Sequence, residues 1–379
     1  VGLRKCTPVA PCYSGLSLLR GGRGPVGRSM ALPPRRTVAA TVGAAAAATG
    51  LRCHLWRGGG AFPPMLSLLG LSLLCPGLVA SLGPPFAHAP PSEPASPTAT
   101  FELRDGHRMP MFGLGVYQSK PGAETYNAVK WALELGYRMI DSAMIYRNEE
   151  SVGKAVRDSG IPREQLFVTT KLWDSDHGYE RAIAACEKSL KEMQIDYLDL
   201  YLIHSPNTGK LVETWDALLE LRRRGLVKSI GVSNFAEKHI QALVSHGRDL
   251  PAVNQIEMHP LLYEERKDLL QYCLENKILV QAYGSIFYGD TKWLKDPAVT
   301  AVVAAHPGKT AAQVLLRWGL QMGFQIIPKS TKKHRLAENK EIFDFELSAS
   351  EMDSLSQMKG ALGAYWNPLS APVDVGHVR

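Results

Sequence analysis

Leu198-Asp199-Leu200-Tyr201-Leu202-Ile203-His204 is a nearly continuous apolar run with one acid near its start and a histidine at its end. A run this short and this apolar predicts a strand covered on both faces, as in a parallel sheet. After the brief connection 206–211 come Trp215, Leu218, Leu219 and Arg222, spaced i, i+3, i+4, i+7. That spacing gives an apolar stripe beside a polar face and predicts a helix over 212–224. Strand, short loop and amphipathic helix make one βα unit.

The same unit recurs in both directions. Strands are expected at 111–116, 137–141, 166–171, 198–204, 227–233, 252–257, 278–283 and 325–328. Helical patterns lie between and after them, at 123–135, 149–159, 179–193, 212–224, 236–246, 264–276, 310–322 and 334–342. Eight such units in about 240 residues is the arithmetic of a (β/α)8 TIM barrel. Ahead of them, 101–104 and 107–110 flank Asp105-Gly106 and predict an N-terminal β-hairpin. A doubly wound open sheet has a similar rhythm, but its phosphate turn needs a third glycine that Gly113-Leu114-Gly115 lacks.

The whole chain carries a net charge of +7, 45% hydrophobic and 21% charged residues, a globular balance. The charge is unevenly placed. Residues 1–92 hold nine of the 43 basic residues and no acid, leaving 34 basic against 36 acidic, a net −2, in 93–379. The basicity is therefore no sign of a nucleic-acid partner. Cys6, Cys12, Cys53 and Cys75 lie in the first segment, and only Cys186 and Cys273 in the rest, without CxxC or Cys/His spacing. Neither a disulfide scaffold nor a metal site is expected.

Residues 1–92 read as a targeting leader that takes no part in the barrel, and 93–100 as a linker to the barrel at 101–379. An Arg-rich, acid-free start, an apolar run over 65–82 and Ala87-His88-Ala89 fit a bipartite, plastid-type transit peptide. A membrane anchor is a second reading, against which Pro76 counts. A third is an upstream extension with the true start at Met30 or Met65. The compartment follows the reading: a plastid or other organelle for a genuine leader, the cytoplasm for an extension.

Barrel chemistry sits at the C-terminal ends of the strands. There the sequence places Asp141, with Tyr146 five residues on, Lys171 and His204. Singly each has an ordinary reading: a helix cap, a packed ring, a solvated amine, a structural histidine. Their arrival at one rim from three consecutive units makes them candidates together. Ser233-Asn234, Gln255, Tyr283 and Lys329-Ser330 follow round the same rim.

Three ordered motifs then give 101–369 a family resemblance. Gly136-Tyr137-Arg138-Met139-Ile140-Asp141-Ser142-Ala143 with Tyr146 and Glu149-Glu150-Ser151-Val152-Gly153 is the first. Lys228-Ser229-Ile230-Gly231-Val232-Ser233-Asn234-Phe235 is the second, and Ile327-Pro328-Lys329-Ser330 with Arg335, Glu338 and Asn339 is the third. Together they resemble the aldo-keto reductases. The resemblance implies NADPH-dependent reduction of a carbonyl, with Tyr146 as acid, Lys171 lowering its pKa, Asp141 pairing with Lys171, and His204 orienting the carbonyl. It also implies that Tyr283 stacks on the nicotinamide, that Ser233, Asn234 and Gln255 bond its carboxamide, and that Lys329, Ser330 and Arg335 grip the 2′-phosphate. Glu338 and Asn339 would lie near the adenine.

The sequence departs from the family's pattern around the substrate. Ser205 and Tyr117 stand where tryptophan is frequent, and Gly284-Ser285-Ile286-Phe287-Tyr288 replaces the more usual Ser-Pro-Leu-Gly. Trp173 and Trp366 are the aromatic residues left to border the pocket. The short 206–211 loop is similar to that of the diketogluconate-reductase and prostaglandin F synthase-like members and implies an open site. A small carbonyl compound is the expected partner of a monomeric barrel, with neither nucleic acid nor membrane. The alternative is a barrel that binds NADPH without turnover, as in channel-associated or structural relatives.

Overall fold

The computed structural model describes Ser96 and residues 98–207, 209–362 and 370–375. Residues 1–92, expected to form a leader, and Trp366 lie outside the described residues.

β1 (Thr100–Glu102) and β2 (Arg108–Pro110) pair antiparallel, Phe101 opposite Met109. Leu103 N–H donates to the His107 carbonyl and Gly106 N–H to the Leu103 carbonyl, so the chain turns through Arg104-Asp105-Gly106. Three residues make this turn rather than Asp105-Gly106 alone, and Gly106 supplies the positive φ of 85°. Ala99 and Thr100, assigned to the linker by composition, already belong to the fold: Ala99 is buried and its carbonyl accepts Met111 N–H.

The repeating units follow: β3 (Leu114–Gly115), α1 (Ala123–Glu134), β4 (Met139–Asp141), α2 (Glu149–Asp158), β5 (Phe167–Leu172) and α3 (Tyr179–Met193). Next come β6 (Leu198–Ile203), α4 (Leu211–Arg223), β7 (Val227–Ser233), α5 (Glu237–Ser245), β8 (Val253–Glu257), α6 (Pro260–Glu275) and β9 (Leu279–Tyr283). The last unit holds α7 (Thr291–Leu294), α8 (Pro297–Ala305), α9 (Ala311–Gln321), β10 (Gln325–Ile326) and α10 (Lys333–Lys340), with α11 (Ala349–Ser356) beyond it.

β3 to β10 lie side by side in chain order, all parallel. The ring closes where Phe112 bridges Ile326 and where Gly113 and Gly115 N–H groups donate to the carbonyls of Ile326 and Pro328. A Cβ at Gly115 would stand 2.9 Å from the Ile327 carbonyl oxygen, so the seam needs glycine there. The result is the expected (β/α)8 barrel. β5 and β6 are buried at all six positions each, which explains their near-continuous apolar character.

The helices differ in detail from the sequence expectation. α6 begins four residues early because Pro260 occupies its first turn, where a missing N–H costs nothing. α8 was not anticipated: its Ala and Val content is ambiguous, but Asp296 caps Ala298 N–H and Pro297 fills the first turn. α11 carries a capping box from Ser348 and Glu351, a signal present in the sequence and passed over.

Packing behind the rim makes one sharp prediction. Gly153 on α2 faces the end of α3, and a Cβ there would overlap the Met193 backbone at its Cα and carbonyl oxygen. Backbone cannot step aside as a flexible side chain can. Gly153→Ala is therefore expected to lower stability by about 3 kcal/mol, despite alanine's better helix propensity. Urea unfolding measures this, and a stabilised variant would contradict the contact.

Candidate active site

The strand ends converge on a cavity of about 610 Å3, lined by Asp141, Tyr146 and His204, with Lys171 buried behind Asp141. β4 ends in Asp141, β5 carries Lys171 in its last turn of pleat, and His204 follows β6 directly. Tyr146 closes a short 3-10 turn, Met144–Tyr146, that leaves β4. Buried Asn148 fixes this turn. It accepts from the Ser142 hydroxyl at 2.7 Å and donates to the Val116 and Ser119 carbonyls at 3.0 and 3.2 Å. Sequence reading missed Asn148, since an asparagine before a helix reads as an ordinary cap.

Lys171 is fully buried. Its Nζ donates to Asp141 Oδ1 at 2.5 Å and to the Ser142 carbonyl at 2.7 Å. It lies 5.1 Å from the centre of the Tyr146 ring. Burial pushes the Asp141 carboxyl up and the Lys171 amine down, each partly offset by the other's charge. The pair is thus a desolvated ion pair of the kind that needs both partners.

Burial also pushes the Tyr146 phenol well up, with the Asp141 charge adding to the rise. This is opposite to the lowering expected from Lys171. The physical reason is that burial dominates, and Asp141, in contact with Lys171, adds a charge of the opposite sign beside the phenol. Burial lowers His204 well below the usual histidine range, with Lys171 contributing, so its ring is neutral near pH ~7. His204 Nδ1 is buried and has no hydrogen-bond partner among the described residues. A buried unpaired N–H is rarer than an unpaired acceptor, which favours the tautomer protonated on Nε2.

A second network lies beside these groups. β7 ends at Ser233, and Asn234 turns the chain with φ 62°, a conformation asparagine tolerates well. Tyr283 hydroxyl donates to Asn234 Oδ1 at 2.6 Å, and Asn234 Nδ2 donates to the His204 carbonyl and Ser233 Oγ at 3.0 Å each. Gln255 Nε2 donates to Asp141 Oδ2 at 2.7 Å and to Gln281 Oε1 at 2.6 Å. Gln255 is therefore tied to the Asp141–Lys171 pair, a link that sequence spacing did not show.

Lys329, Ser330 and Arg335 line the same cavity, as does Lys332. None of the three cations makes an ion pair among the described residues. Ser330 Oγ accepts Lys332 N–H at 3.1 Å, which shapes the turn into α10. Glu338 and Asn339 do not line the cavity. Glu338 instead accepts from the Thr310 hydroxyl at 2.7 Å.

Tyr117, Trp173 and Ser205 line the cavity. The Tyr117 and Tyr146 rings are 5.1 Å apart, and the Trp173 and His204 rings 5.1 Å. The Ser205 hydroxyl does not simply widen the pocket. It donates to Asp174 Oδ1 at 2.5 Å, bringing in an acid that sequence reading overlooked. Among the described residues no helix is long and apolar enough to cross a membrane.

The chain's similarity to known proteins shows its family. The aldo/keto reductase family model matches residues 111–359. Glyoxal reductase of Bacillus subtilis is 46% identical over 265 residues, which cover 70% of this chain and 94% of the relative. The 9,11-endoperoxide prostaglandin H2 reductase of Trypanosoma cruzi is 43% identical over 256 residues, covering 68% and 90%. A solved Bombyx mori aldo-keto reductase in complex with NADP superposes with a TM-score of 0.67 at 35% identity, covering 75% of this chain and all of that one. With the motifs, the closed barrel and these relatives in agreement, the chain belongs to the aldo/keto reductase family.

Proposed function

We propose that this chain reduces aldehydes and ketones to alcohols with NADPH, using Tyr146 as the proton donor. The observation that carries this reading is the meeting, in one cavity, of Tyr146, Asp141 and neutral His204 with the three unpaired cations Lys329, Lys332 and Arg335, while Lys171 lies buried behind them, bonded to Asp141. Family membership supports an oxidoreductase that takes NADP(H).

Bound NADPH supplies the hydride. This chain's residues have to hold the carbonyl oxygen and protonate it. A phenol whose pKa is pushed up stays protonated in the resting site and has a proton to give. As that proton leaves, the Lys171 ammonium, 5.1 Å from the centre of the Tyr146 ring, is a cation placed to favour the forming phenolate. Asp141 and the Ser142 carbonyl hold that ammonium in place. His204, protonated on Nε2, orients the carbonyl by a hydrogen bond without carrying charge. Gln255 has spent both amide hydrogens, so Oε1 is the atom it offers a carboxamide. Ser233, Asn234 and Tyr283 complete that end of the cavity.

Lys329, Ser330 and Arg335 would take the 2′-phosphate, because exposed unpaired cations reward a phosphate with charge-assisted bonds. Arg335→Ala is expected to raise KM for NADPH about tenfold while changing KM for NADH far less. Equal effects on the two cofactors would remove Arg335 from the phosphate site. Glu338 and Asn339 lie outside the cavity lining, so their place near the adenine rests on the family resemblance alone.

The decisive assay is NADPH consumption by the purified chain with small dicarbonyls and aromatic aldehydes. The name of the Bacillus subtilis relative makes glyoxal and methylglyoxal the first to try. Tight NADPH binding with no consumption across such a panel would instead establish a barrel without turnover.

A further inference from the structure

We propose that Asp174, held by Ser205, sets the charge selectivity of the substrate pocket, so that it accepts neutral, hydroxyl-bearing carbonyl compounds and rejects those bearing a carboxylate or phosphate. The inference rests on the carbonyl-reductase reading and names the substrate class for it.

Asp174 opens the 3-10 turn that follows Trp173, and it lines the same cavity as Tyr146 and His204. Its side chain is 18% exposed, so it is neither solvated nor sealed. Oδ1 accepts the Ser205 hydroxyl at 2.5 Å, and Ser205 is the residue next to His204. Ser205 Oγ also accepts Asn207 N–H at 3.4 Å, and Asn207 Nδ2 reaches Asp174 Oδ2 at 3.5 Å. Ser205 is thereby committed on both sides. It holds the carboxyl and is not itself offered to a ligand.

The charge on Asp174 is not cancelled locally. His177 Nε2 stands 3.8 Å from Oδ1, but burial pushes His177 down to about 4, so it is neutral at ordinary pH. Burial raises the Asp174 carboxyl while the Ser205 and Asn207 donors pull it back. Of the other charged groups lining the cavity, Asp141 is neutralised by Lys171, Lys329 and Arg335 are taken up by the cofactor's 2′-phosphate in the reading above, and Lys332 stands beside them at that end. Among the described residues lining the cavity, Asp174 is then the uncompensated charge on the aromatic side, beside Trp173 and His204.

A carboxylate has only acceptors to offer. It rewards a ligand hydroxyl and repels a ligand anion, and at several ångströms in a partly buried cleft that repulsion changes affinity by about tenfold or more. Selectivity of this kind works by an unfavourable contact with the wrong ligand as much as by a favourable one with the right ligand.

The test uses the full chain and three aldehydes of one shape: benzaldehyde, its para-hydroxymethyl derivative and its para-carboxy derivative. The ratio of kcat/KM for the carboxylated over the parent aldehyde is the readout. It is expected to be low in the wild type, to rise about tenfold in Asp174→Asn, and to rise less in Ser205→Ala. Added salt is expected to raise it in the wild type and not in Asp174→Asn. The advantage of the hydroxymethyl compound is expected to shrink in Asp174→Asn. A ratio that does not change in Asp174→Asn overturns the proposal. Binding of the corresponding alcohols to the NADP-loaded chain, read by tryptophan fluorescence, gives the same comparison without turnover. Equal wild-type affinities for the carboxylated and neutral alcohols, or no binding of either, would also overturn it. Charge-selective binding without reduction of any aldehyde would strike the reductase reading and leave the selectivity standing.

Discussion

Tyr146→Phe is expected to lower kcat for aldehyde reduction by about 10³-fold while leaving the affinity for NADPH within about twofold. The substitution removes one oxygen. The ring contacts with Tyr117 at 5.1 Å and His204 at 5.8 Å survive in phenylalanine, so the wall of the cavity keeps its shape. What goes is the proton. His204 is a poor substitute, because burial and the Lys171 charge keep its ring neutral, and a neutral imidazole holds its N–H far too tightly to act as an acid. Lys171 cannot stand in either, since its Nζ is fully buried and bonded to Asp141 and Ser142. The raised phenol adds a second expectation. With the phenol protonated throughout, the free enzyme's kcat/KM for reduction should show no loss between about pH 6 and about pH 9 from Tyr146 ionisation. Rates from steady-state kinetics and NADPH affinity from cofactor fluorescence check both parts. A variant that reduces aldehydes at the wild-type rate would remove Tyr146 from the chemistry.

The residues named in that prediction were legible because barrel topology turns sequence order into spatial order. Once 137–141, 166–171 and 198–204 are read as neighbouring parallel strands, their last residues must meet at one rim. Asp141, Lys171 and His204 therefore follow from periodicity alone, and Tyr146 from its nearness to one of them. Other features depend on which way a side chain turns, and period does not encode that. Gln255 was placed at the carboxamide, but that its amide nitrogen faces inward to Asp141 and Gln281, leaving only Oε1 to offer, was not legible. Ser205 looked like a missing tryptophan and an open wall, yet its hydroxyl is aimed at Asp174, 31 residues away in sequence. The direction of the Tyr146 shift was misjudged for a related reason. Pairwise reasoning placed Lys171 beside the phenol and omitted that Asp141 sits closer still to Lys171. Helices α8 and α11 carry cap residues but show little apolar period, as short end helices do, so periodicity does not reveal them.

The Lys171–Asp141 pair carries the largest expected effect on stability. Lys171→Met keeps the length of the side chain and removes its charge, leaving a fully buried Asp141 with only Gln255 to bond it. Breaking one side of a buried pair costs about 3–5 kcal/mol, mostly as the penalty of the charge left behind. The sign of the pH dependence follows. Burial already raises the Asp141 carboxyl, and loss of the Lys171 charge, which lowers it, raises it further. A carboxyl whose folded pKa lies above its unfolded value stabilises the fold fully at low pH, and that contribution disappears as pH rises through the folded pKa. Lys171→Met should therefore be less destabilised at about pH 5 than at about pH 8. Asp141→Asn should behave in the opposite sense. It strands Lys171, whose folded pKa is already lowered by burial, so its loss of stability grows as pH falls. Urea unfolding of both variants at the two pH values, with the double variant Asp141→Asn/Lys171→Met, closes the cycle. The double variant should recover most of the lost stability, because it leaves no buried charge, yet it should remain without turnover. If each single variant were as stable as the wild type, the two groups would not be a desolvated ion pair in solution. If the double variant recovered activity as well as stability, the ammonium beneath Tyr146 would have no part in the reaction.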